Sequence, residues 1–104
     1  MEKLVQEVQK TIVALEKLSE SPKIASDQID ELLDQLFQQK IDLVGASRNE
    51  AASSYQQALR AMGQAAAKAE RAVRAPEHLP EVVTAVSDAI GKVARVLDNV
   101  VPIE

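Results

Sequence analysis

Reactive side chains are few in this chain, and their spacing limits the chemistry open to them. There is one histidine, His78, and no cysteine. Disulfide staples, thiolate zinc sites, iron–sulfur clusters and cysteine nucleophiles are therefore out of reach, and one imidazole cannot build a multi-histidine metal site. His78 is the only side chain whose ordinary titration falls near neutrality. It stands beside Glu77 between Pro76 and Pro80, where an exposed loop position is expected rather than a general base. Asp27, Asp30, Glu31 and Asp34 share a helix face, but that face lies opposite a row of leucines and should be solvated. Carboxylates without histidine partners or an aromatic-lined pocket make a poor metal site and a poor glycosidase pair. Gly45, Gly63 and Gly91 stand too far apart to form a phosphate-cradling loop. Ser53 and Ser54 have no base near them in sequence. The expectation is a chain that is not an enzyme and carries no cofactor and no metal.

Binding is the remaining class. The net charge of −4 is unevenly spread. Residues 1–46 carry five lysines against nine acids, residues 47–75 five cations against two acids, and residues 76–104 two cations against five acids. The basic middle segment fits complementarity with acidic neighbours inside the fold, and this is the favoured reading. The sharper one is a polyanion contact through Arg60, Lys68, Arg71 and Arg74, with Gln56, Gln57 and Gln64 on the same polar side. Tyr55 and Phe37 are the only aromatics, so neither an aromatic cage nor a base-stacking platform is available. The chain is acidic overall and lacks helix-turn-helix spacing, which places nucleic acid second to protein as a partner.

Four helices must position these residues. Leu4, Val8, Ile12, Leu15 and Leu18 recur at steps of three and four over residues 2–19, with Val5 alongside and Val13 on the opposite side. Ser21-Pro22 and Ser26-Asp27 are both good helix starts, and the later one is preferred. The second helix runs to Val44. Its apolar set, Ile29, Leu32, Leu33, Leu36, Phe37, Ile41, Leu43 and Val44, covers half the circumference, with Lys40 laying its stem along the stripe. Gly45 suits a left-handed helix end, and Ser47 with Glu50 has capping-box spacing. So short a connection predicts an antiparallel hairpin of the second and third helices.

The third helix is expected from Arg48 to Ala75, roughly 40 Å long at 1.5 Å per residue. Its seam reads Tyr55, Leu59, Met62, Ala66, Ala69 and Val73, a heptad pattern. Alanines fill much of the rest and bury little area each, and Gly63 marks a close crossing. Pro76 and Pro80 punctuate the chain before a fourth helix over 80–101, whose valine-rich half needs two neighbours, and Pro102 ends it.

These elements predict one domain over residues 1–104. It is an all-α, antiparallel up-and-down bundle of four helices, or three long helices with a short or mobile first one. The expected function is a small non-enzymatic interaction module of the adaptor, export-chaperone or regulator type. It would act by helix-face docking, with a second copy (a homodimer) or a partner helix as its ligand. A long third helix overhanging its neighbours puts the interface at Ala61, Met62, Ala65, Ala69 and Val73. The alternative is a nucleic-acid-associated regulator using the basic stripe. No apolar run approaches bilayer length and no secretory leader is apparent, so the expected place is the cytoplasm without membrane insertion, and signal-less export is compatible with the same sequence.

Overall fold

The computed structural model describes residues 2–20, 26–45 and 53–98. Apart from Glu20, Gly45 and Ala75, every described residue is helical. The elements are α1 (Glu2–Ser19), α2 (Ser26–Val44), α3 (Ser53–Arg74), a 3-10 turn (Pro76–His78) and α4 (Leu79–Asp98). The later start for α2 is the observed one. The starts and caps expected at residues 21–22 and 47–52, and the end expected at Asn99–Pro102, lie outside the described residues.

Each helix turns one heptad seam inward. In α1 it is Leu4, Val8, Thr11, Leu15 and Leu18; in α2, Ile29, Leu32, Leu36, Gln39 and Leu43. In α3 it is Tyr55, Ala58, Met62, Ala65, Ala69 and Ala72; in α4, Val82, Val86, Ala89, Val93 and Val96. Steps alternating three and four keep a seam facing its neighbours over several turns. At 18 residues α1 is as fully packed as the others, so the bundle has four long helices rather than three and a short one.

The α3 seam differs from the expected one. Leu59 is only half-buried and Val73 is exposed, while Ala58, Ala65 and Ala72 are sealed. The reason is steric. α3 is the helix with the most extensive packing, against α4 on one side and α1 on the other. Small side chains on the sandwiched face let both neighbours approach, and the larger Leu59 and Val73 fall at its borders.

Around the bundle the order of neighbours is α1, α2, α4, α3 and back to α1. α2 and α3 follow each other in sequence yet make at most marginal contact. They stand across a diagonal, so the expected hairpin is not formed. Between Val44 and Ser53 lie residues 45–52. Chain of that length reaches about 30 Å, against a diagonal of about 14 Å for helices about 10 Å apart, so the connection does not force them together. The molecule measures 47 × 21 × 18 Å, the cross-section of such a four-helix square. Thr11 lies beside Met62, and Lys17 shares a cleft with Val73 and Arg74, so α1 and α3 run parallel as neighbours.

The glycines behave less specially than their type suggests. None of the described glycines has a positive φ. Gly45 donates its N–H to the Ile41 carbonyl at 3.2 Å, which adds one more bond to the helix ladder instead of a left-handed cap. Gly63 faces Glu7 of α1, but a Cβ there would come no closer than 3.9 Å to the Glu7 side chain. The crossing is not tight enough to require glycine.

Candidate docking surfaces

The single histidine sits in the 3-10 turn, half-buried, with Nδ1 3.8 Å from Glu81 Oε1. That pair is too long for a hydrogen bond. Asp27, Asp30, Glu31 and Asp34 are all exposed on α2, as their place opposite the leucines predicts. Among the described residues no group of three histidine, aspartate or glutamate side chains converges to hold a metal ion. Nor is any helix there long and apolar enough to cross a membrane.

Of the residues expected at an interface, Met62, Ala65 and Ala69 lie in the chain's own core with no exposure, and Ala61 is half-buried. Only Val73 reaches the surface, at 38% exposure. The overhang that pointed to this set is missing among the described residues. α3 has 22 residues and α4 20, and α1 covers the alanine seam from the other side.

The four cations of the basic stripe are all exposed on α3. The ion pairs among the described residues are Lys10–Glu7 at 3.4 Å, His78–Glu81 at 3.8 Å and Lys92–Asp88 at 2.7 Å, each within one turn or a helix start. None takes in Arg60, Lys68, Arg71 or Arg74, so for these four cations the charge complementarity favoured by the sequence is not realised as ion pairs among the described residues. Carboxylates nonetheless border the stripe. Lys68 shares a groove of about 580 Å³ between α3 and α4 with Glu81 and Asp88, and Arg74 shares a second cleft with Glu70.

Surplus apolar surface appears on α2. Phe37, Ile41 and Val44 are 42%, 66% and 68% exposed. Spacing of four and three puts them on one face, and the same steps run back through Asp34 and Asp30. α2 therefore carries two parallel seams. The inner one is buried and includes Gln39; the outer one begins with two carboxylates and continues with three large apolar side chains. Lys40 lies between them, half-buried, and donates to Gln9 Oε1 of α1 at 2.6 Å. That part-buried contact ties the border of the outer seam to α1.

A third surface is the cleft between α1 and α3, of about 520 Å³. Its apolar part is Val13, Ala14 and Val73, and its rim carries Lys10, Lys17 and Arg74 against Glu70. Val13 and Val73 are 39% and 38% exposed. The outward position of Val13 was legible in the sequence; its proximity to Val73 was not, because that depends on α1 and α3 being parallel neighbours. No family model matches the sequence, and no curated protein and no solved structure matches the chain.

Proposed function

We propose that this chain is a non-enzymatic interaction module that works by helix-face docking and associates with itself. One observation carries the reading: the outer seam of α2 leaves Phe37, Ile41 and Val44 uncovered on a helix whose other large apolar residues are buried. Single exposed apolar residues are ordinary, but three in register along one helix form a continuous stripe. Such a stripe is the kind of surface that a helix-in-groove contact buries. The test is mass by light scattering against concentration for the wild type and for Ile41→Asp. The expected outcome is association that Ile41→Asp reduces at least tenfold. Association unchanged by Ile41→Asp would contradict the reading.

That no ion pair among the described residues takes in Arg60, Lys68, Arg71 or Arg74 supports a second reading, a polyanion contact along α3. It ranks lower because a polyanion laid on α3 would meet Glu70 on one side and Glu81 and Asp88 on the other. Arg60→Glu with Arg71→Glu and Arg74→Glu should leave nucleic-acid retention at its background level. A steep loss of salt-dependent binding on that change would favour the polyanion instead.

A further inference from the structure

Resting on the self-association just proposed, we infer that the contact is head-to-tail: the outer seam of α2 in one copy docks into the α1/α3 cleft of the next. The two surfaces are complementary in charge and in apolar character. The seam offers Phe37, Ile41 and Val44 led by Asp30 and Asp34. The cleft offers the exposed Val13 and Val73, edged by Lys17 and Arg74 together with Lys10, which also pairs with Glu7, against the single carboxylate of Glu70. Opposite charges meeting across a contact fix its register and penalise wrong pairings.

A symmetric contact of α2 on α2 meets the opposite condition. α2 carries Asp27, Asp30, Glu31, Asp34 and Asp42 against Lys40 alone. Parallel pairing of that helix with its own copy sets Asp30 and Asp34 of the two chains side by side, which like-charge repulsion opposes, and antiparallel pairing leaves them past the partner helix with no cation to meet, whereas the cleft supplies cations. Nor can the seam fill the cleft of its own chain. The cleft opens between α1 and α3, whereas the seam lies on α2, across the bundle from α3. The cleft needs an acidic, apolar helix, and a second copy supplies one.

One helix seated in a cleft this small falls under the ~1,200 Å² at which stable interfaces begin. A contact of that size belongs with weak, transient encounters. A heterologous contact also leaves one seam and one cleft free at the ends of every open assembly.

That property supplies the test. Ile41→Asp disables the seam, and Lys17→Glu with Arg74→Glu disables the cleft; all three positions are exposed, so circular dichroism and thermal midpoints should match the wild type. Each variant alone should weaken association at least tenfold. An equimolar mixture should recover a two-chain particle and stop there, because one intact seam meets one intact cleft. Raising salt from 50 to 500 mM should weaken that particle several-fold. Cleft variants that associate as the wild type does, or a mixture in which both chains stay single, would overturn head-to-tail docking. Loss of association in the seam variant alone would overturn only that geometry and leave docking through α2 standing. A wild type that remains a single chain at 1 mM would overturn self-association itself.

Discussion

Gln39 is the residue whose placement most contradicts its type. Its side chain is buried between α2 and α4, where Nε2 donates to the Ile90 carbonyl at 2.9 Å and Oε1 has no partner. An unpartnered buried acceptor costs about 1–3 kcal/mol, whereas the hydrogen bond returns about 0.5–1.5 kcal/mol. The Ile90 carbonyl sits inside α4, where the helix ladder also supplies it a donor. Gln39→Met, close in volume and free of the orphan oxygen, should therefore stabilise the fold by about 1 kcal/mol, seen as a raised urea midpoint with unchanged slope. A lowered midpoint would mean that the Ile90 bond outweighs the orphan. Thr11 is the contrasting case. It is equally buried, but its hydroxyl donates to the Glu7 carbonyl at 2.9 Å, so it is satisfied within its own helix. Neither burial was legible from residue type. Residue type gives no reason to bury Gln39, and the apolar set expected on α2 takes in Phe37, Ile41 and Val44; only the strict heptad through Ile29, Leu32, Leu36 and Leu43 separates the two.

At the scale of the element, α3 shows how size and burial part company. Heptad spacing through Tyr55, Met62 and Ala69 also admits Leu59 and Val73, yet packing on two sides selects Ala58, Ala65 and Ala72. Ala65→Leu should cost about 1–3 kcal/mol by overpacking, measured by thermal or urea unfolding, with no change in net charge to confound it. The reverse holds at exposed Gly91 on α4. A Cβ there meets nothing within 4 Å, and its φ is an ordinary one. Gly91→Ala should stabilise by about 0.5–1 kcal/mol through lower entropy of the unfolded chain and better helix propensity. Helix number, type and most boundaries were legible because the apolar periods are long and the prolines and serines punctuate them. The left-handed cap at Gly45 was not realised, since the ladder extends one bond further through that residue.

For the whole molecule, the order of neighbours decides what function the surfaces can support. Chain direction follows from connection length, but which helices touch does not, and a connection that can reach across the diagonal gives no sign of its choice. The α1/α3 cleft exists only because those two helices are parallel neighbours, so no inspection of spacing would have joined Val13 to Val73. The chain contains no cysteine, which makes this order easy to check. Glu7→Cys with Gly63→Cys should be bridged by a short bis-maleimide cross-linker, since a Cβ at 63 lies 3.9 Å from the Glu7 carboxyl carbon. Cysteine pairs placed across the α2–α3 diagonal should not be bridged. Charge is segregated on the same scale: α2 holds five carboxylates against one lysine, and the α1/α3 cleft holds three cations against one acid.

Self-association, as proposed, rests on the uncovered seam of α2 as a contact surface for another copy. The most direct measurement is light-scattering mass during size-exclusion, from about 10 µM to 1 mM, on wild type and Ile41→Asp side by side. Wild-type mass should climb above one chain as concentration rises, and the rise for Ile41→Asp should be displaced to at least tenfold higher concentration. A wild type that remains a single chain throughout, or an Ile41→Asp variant that climbs with it, would rule out association through this seam.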